Sequence, residues 1–206
     1  MERGQIMGDI ISFVRRKGRT MKDSVLPVVS DIRKRKYTFE QSARQLIKCA
    51  RITTLPINVL KVAEALGFAI YKTDLKDGIR GAMVDSDRAF VDDKKRVIVV
   101  PNEDSLKKIF FTVAHEIGHF CLHCNDQENF YMRETIHKDE QTEAMENEAD
   151  LFAATLLMPE ELFRNYVESV RYKYNSRKSL MNDICETFCV EQDAVERRFT
   201  ELNISI

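Results

Sequence analysis

Residues 115–119 read His-Glu-Ile-Gly-His, an H-E-x-x-H spacing that makes sense only on a continuous helix. Two histidines four residues apart fall about 40° apart around such a helix, close enough to hold one metal ion. The glutamate between them sits one position round, placed to act on a water at the same point. The remaining positions meet the other requirement. Phe110, Val113, Ala114, Ile117, Phe120 and Cys121 cluster on the side away from both histidines. The run follows Pro-Asn-Glu-Asp-Ser at 101–105, a plausible capping region. The expectation is a helix that buries one face and presents His115, Glu116 and His119 to a cleft. Two surface histidines on an ordinary amphipathic helix are the alternative reading.

A catalytic zinc site takes three protein ligands and leaves a fourth position open. The third ligand is expected downstream, and Glu146 is the best candidate. Glu146 and Asp150 are four apart on one helical face flanked by the small residues Ala149 and Ala153, which would let this helix approach the first closely. Asp150 would then accept from a ligand histidine's other ring nitrogen and fix its tautomer. Glu148 points elsewhere and is kept in reserve. The metal expected is Zn²⁺, with another divalent ion as the alternative.

Elsewhere the period changes. Phe39, Ala43, Leu46, Ile47 and Ala50 repeat at helical spacing, and a second short helix runs from Val59 to a stop at Gly67. Strand-like segments follow at 68–72, 81–84, 88–91 and 96–100, separated by Asp-rich turns, which predicts a small antiparallel sheet. After Asn102 the chain reads as helix, apart from a polar stretch at about 125–142. Helices, a meander and more helices make an α+β domain.

The 206 residues carry 32 Lys and Arg against 33 Asp and Glu, with 44% hydrophobic residues, which excludes disordered and low-complexity classes. Charge is unevenly spread. Residues 1–36 hold ten basic and four acidic side chains, so residues 1–37 are expected to form a basic N-terminal extension and 38–206 the compact domain. No apolar run approaches the roughly 20 residues a membrane helix needs, and the N-terminus lacks a secretory signal's apolar core. The expected location is cytoplasmic. Five cysteines in a chain this long suit free thiols.

The motif at 115–119, followed by Glu146-x-x-Ala149-Asp150-x-Phe152-Ala153-Ala154-x-Leu156-Leu157-Met158-Pro159, resembles the ImmA/IrrE family of zincin metallopeptidases. The resemblance runs from about residue 38 to the C-terminus. It implies a zincin-like α+β domain, with the sheet packed on the H-E-x-x-H active-site helix and a helical C-terminal region. It also implies a cytoplasmic zinc endopeptidase that cleaves a helix-turn-helix repressor and so derepresses genes, as proteases of bacteria, phages and mobile elements in this family do. His115, His119 and Glu146 would hold the metal, and Glu116 would be the catalytic base. A non-catalytic regulator stabilised by zinc, or a toxin-like protein acting on a partner or DNA, is the alternative.

Other features carry weaker signals. Tyr131 and His137 have the right chemistry to stabilise an oxyanion, though nothing in the sequence places them. The stretch 125–150 holds nine acidic and two basic residues, a rim suited to a basic substrate segment. His123 is a further four residues along, and Cys121-Leu122-His123-Cys124 matches C-x-x-C, with Cys185 and Cys189 as conceivable partners. Met181, Ile184, Phe188, Val190, Ala194, Val195, Phe199 and Leu202 are spaced like a helix-turn-helix with Arg197 and Arg198 on its second helix. Acidic neighbours argue against direct nucleic-acid binding there.

Overall fold

The computed structural model describes residues 24–75, 79–85, 96–124, 129–134 and 140–205. Helices α1 (Leu26–Arg33), α2 (Phe39–Cys49) and α3 (Val59–Ala65) precede strands β1 (Ala69–Thr73), β2 (Ile79–Asp85) and β3 (Arg96–Pro101). Helix α4 (Leu106–Leu122), strand β4 (Asn129–Glu134) and helix α5 (Glu140–Leu157) follow. The C-terminal part is α6 (Glu160–Val170), α7 (Arg177–Phe188) and α8 (Gln192–Glu201). This is a mixed α+β fold. Among the described residues no helix is long and apolar enough to cross a membrane.

Local chemistry sets the helix starts. Thr38 opens α2 with a capping box: its hydroxyl accepts from the Gln41 amide at 3.2 Å, and its own amide donates to Gln41 Oε1 at 2.9 Å. Asn58 and Ser105 cap α3 and α4 in the same way, accepting from the amides of Lys61 and Lys108 at 3.3 and 3.2 Å. The α4 start therefore falls where the sequence places it.

The sheet differs from the expectation. Its order is β1-β3-β2-β4, and β1 runs parallel to β3, with Ala69 beside Val97 and Thr73 beside Pro101. The other pairs are antiparallel, Met83 facing Ile98 and Tyr131 in turn. The antiparallel sheet is thus corrected to a mixed one. Alternation reveals which residues share a face but not which strand lies alongside; β2 pairs on the far side of β3, leaving β1 to meet β3 in the same direction. Strand β4 lies in the stretch read as a polar loop, where Asn129-Phe-Tyr-Met-Arg-Glu134 is too short to alternate visibly. The expected strand at 88–91 falls outside the described residues.

One face of the sheet carries Met83, Ile98 and Val100 into the main core, while Ala82, Val97 and Val99 form a small cluster on the other. Helix α4 lies at the centre of that core, packed against β2, β3, α3 and, along its length, α5. Phe120, fully buried, meets Phe68 edge-on at 5.1 Å between centroids, a contact whose burial contributes about 2–3 kcal/mol. Helix α1 precedes the boundary expected at residues 37/38, yet Val25, Val29 and Ile32 are buried in the same core. Arg33 Nη2 also donates to the Phe120 carbonyl at 3.3 Å and its guanidinium lies over that ring at 4.8 Å. Packing against the core therefore begins by Val25. Residues 1–23 are not among those described.

Candidate metal centre

Helices α4 and α5 touch almost backbone to backbone. A Cβ added to Gly118 would stand 3.1 Å from Ala149 Cα and 3.2 Å from Ala149 O, so the pair can close to this distance only with glycine in the motif. The contact explains the centre. His119 follows Gly118 and Glu146 lies three residues before Ala149, so each is carried to the edge of the closest approach.

There the side chains converge. His115, Glu116 and His119 are buried at 0, 1 and 3% exposure. His115 Nε2 and His119 Nε2 are 2.9 Å apart, and the Glu146 carboxylate lies 3.5 Å from the first and 3.3 Å from the second. One ligand atom from each of the three falls within 4.8 Å of the others, the one such group of His, Cys, Asp and Glu among the described residues. His115 Nδ1 is 2.7 Å from Asp150 Oδ1. With Asp150 as a carboxylate, Nδ1 carries the proton and donates, which leaves the Nε2 lone pair directed at Glu146 and His119. The group is made of acceptors turned to one point, two imidazoles and a carboxylate, and it fits a divalent metal with nitrogen and oxygen ligands.

Glu116 is approached from the sheet. A Cβ on Gly81 of β2 would meet Thr112 Cγ2 at 2.5 Å and Glu116 Oε1 at 3.4 Å, so this glycine lets the strand lie directly over the carboxylate. Sequence reasoning missed both glycines as parts of the site. The available signal was a glycine inside a regular element: Gly118 inside the helical motif, Gly81 inside a strand.

The remaining candidates separate from the centre. Glu148 turns to Arg35, 2.8 Å away, and stands 3.8 Å from His123, so the reserve ligand is not in the group. His123 Nε2 donates to the Met145 carbonyl at 3.1 Å. Burial, followed by the neighbouring His119, pushes its pKa down to about 4, so it remains neutral at ordinary pH. Cys121, Cys124, Cys185 and Cys189 are buried thiols outside any disulfide, and burial raises the Cys121 thiol to about 12. No cysteine joins a metal-ligand group among the described residues. Tyr131 lies on β4 at the register position opposite Met83. His137 lies outside the described residues.

Arg198 of the C-terminal helix is not presented as a helix-turn-helix reader would present it. Arg198 is 3% exposed and pairs with Glu40 and with Glu201, the latter at 3.2 Å, while its Nε donates to the Met158 carbonyl at 3.0 Å. Arg197 pairs with Glu201 at 3.0 Å and reaches Asp150 Oδ2 at 3.8 Å, behind the carboxylate that holds His115.

The sequence matches the IrrE N-terminal-like domain (Peptidase_M78) over residues 63–200, about two thirds of the chain and all of α4 and α5. The chain belongs to that family. That family is one of peptidases, and the group formed by His115, His119 and Glu146 fits a divalent metal. No curated protein matches this IrrE-like chain. A solved Mycobacterium tuberculosis transcriptional regulator is similar at 16% identity and a TM-score of 0.52, covering 86% of this chain and 52% of that one. That likeness is one of fold alone, and this chain spans about half the length of that structure.

Proposed function

We propose that the protein is a zinc-dependent endopeptidase of the cytoplasm that cleaves a helix-turn-helix transcriptional repressor. One observation carries the peptidase part: the convergence of His115 Nε2, His119 Nε2 and the Glu146 carboxylate on two touching helices, with Glu116 buried in the same helix turn. Zinc bound there would lower the pKa of a water and polarise the scissile carbonyl. Asp150 holds the His115 ring by its Nδ1 proton, which keeps the Nε2 lone pair inward. Glu116 takes a proton from the attacking water on a carboxylate oxygen and passes it to the departing amine nitrogen, and its burial keeps bulk water from competing for that proton. The repressor as substrate is supported by the ImmA/IrrE resemblance.

The test is intact-mass analysis of the helix-turn-helix protein encoded nearest this gene, incubated with the zinc-loaded chain or with its Glu116→Gln variant. The expected result is cleavage by the parent alone, abolished by a chelator, with equal metal content in both proteins. The variant should be slower by about 10²–10⁴-fold. An intact repressor with one zinc per chain would favour the regulator that binds without cutting.

A further inference from the structure

Beside the metal centre lies a cleft of about 660 Å³ whose walls come from four elements. It continues the face that carries the motif. Phe111 is one turn before His115 on α4, Thr112 one turn before Glu116, and Lys108 a further turn back. Opposite them stand Asp150 and Ala154 of α5, then Ala194 and Arg197 of α8. Asp150, which meets His115 Nδ1, joins the cleft to the candidate centre, and from there the cleft runs roughly two helical turns towards the α4 start.

Its chemistry changes along its length. Phe111, Pro101, Ala154 and Ala194 supply apolar wall. At the inner end Asp150 and Arg197 offset one another. At the outer end the lining residues Asp104, Glu191 and Asp193 outnumber the one lining cation, Lys108, by two charges, and Lys107 beside Glu191 is itself paired with Glu186. Glu191 and Asp193 are exposed at the start of α8, and Ser105 donates to Glu191 Oε1 at 3.2 Å, which holds that carboxylate over the α4 start. A side chain entering from the centre passes the Asp150–Arg197 pair, then apolar wall, and meets the surplus carboxylates last. That order complements a long side chain with an aliphatic stem and a cationic head.

We propose that this cleft is a specificity subsite that takes a lysine or arginine side chain of the protein substrate, within two residues of the cut. The inference rests on the peptidase reading, and the experiment separates the two. The zinc-loaded full chain is incubated with a mixture of synthetic peptides randomised around their centre, and the new ends are read by mass spectrometry. Lysine and arginine should be enriched about five- to tenfold at one position flanking the cut, falling below about twofold in Glu191→Gln/Asp193→Asn. In parallel, amide spectra of the folded parent and variant are titrated with Nα-acetyl-argininamide, its norleucine analogue serving as the neutral control. The parent's Lys108, Ala154 and Ala194 amides should shift with the arginine probe only, and the variant's should not.

Cleavage without a basic preference, or a preference that survives in the double variant, overturns the subsite and leaves the peptidase standing. Arginine-probe shifts at these amides in a chain that cuts no peptide uphold the cationic subsite and count against the peptidase. No shifts and no cleavage overturn both.

Discussion

Helices α4 and α5 and helices α7 and α8 both bury charged or polar groups, and they do so to opposite ends. In the C-terminal pair the buried group is a cation, Arg198, met by two carboxylates and a backbone carbonyl, so the cluster is complete as built. In the α4–α5 pair the groups turned inward are lone-pair donors: two imidazole nitrogens and Glu146, with the carboxylates of Glu116 and Asp150 close behind. The first arrangement supplies its own countercharge and fastens α8 to α2 and the end of α5. The second gains most from a cation from outside. Burial alone therefore does not mark a functional site; the sign and direction of what is buried do.

The largest effect expected from breaking this contrast is at the ligands. His119→Ala should abolish both stoichiometric metal binding and cleavage, because a single remaining imidazole with one carboxylate is a poor zinc site. Elemental analysis after dialysis, together with the repressor assay, checks it; a full complement of metal in the variant would mean that the ion sits elsewhere. Arg198→Met should do the reverse. Removing the cation takes from Glu40 and Glu201 their shared partner, though Glu201 keeps Arg197, and the loss of stability is expected at about 2–4 kcal/mol by denaturant unfolding, with metal affinity unchanged in the folded fraction.

Asp150→Asn comes next. Asparagine still accepts from His115 Nδ1, but without the charge that raises the ring's basicity and fixes its orientation, so metal affinity should fall about 10–100-fold. Competition against a chromophoric chelator measures this. An unchanged affinity would make the 2.7 Å contact a packing detail.

How much of this was legible in the sequence depended on whether the controlling interaction is local. The α4 helix, its cap at Ser105 and the common face of His115 and His119 all follow from spacing within one helix. Glu146 and Asp150 were also reachable, because two acids four apart beside small residues describe a helix meant to lie against another. Strand pairing was not legible: that β1 runs parallel to β3 depends on where β2 is laid down, and alternation carries no record of it. The partner of Arg198 was not legible for a related reason. The spacing of Arg198 fits a helix-turn-helix surface, but Glu40, which turns it inward, lies 158 residues away in the chain.

Gly118 brings the local and the distant together, and Gly118→Ala is the smallest and sharpest test of the comparison. Alanine favours the helix by about 1 kcal/mol over glycine, so a helix judged by itself would be stabilised. The new methyl, however, would stand 3.1 to 3.4 Å from Ala149 atoms, two of them backbone, so α4 and α5 must part by a few tenths of an ångström. Overpacking costs about 2 kcal/mol, so the two effects offset only in part and a net loss of about 1 kcal/mol is expected. There is no offset at the metal, because moving α5 carries Glu146 away from both Nε2 atoms, and affinity should drop severalfold while the fold is kept. Ala149→Gly added to this variant should not restore it, since the closest contacts are to the Ala149 Cα and carbonyl oxygen, which glycine retains. Full rescue by that second change would show that side-chain packing rather than backbone approach sets the distance between the two helices, and Gly118 would then be a helix detail and not a determinant of the metal centre.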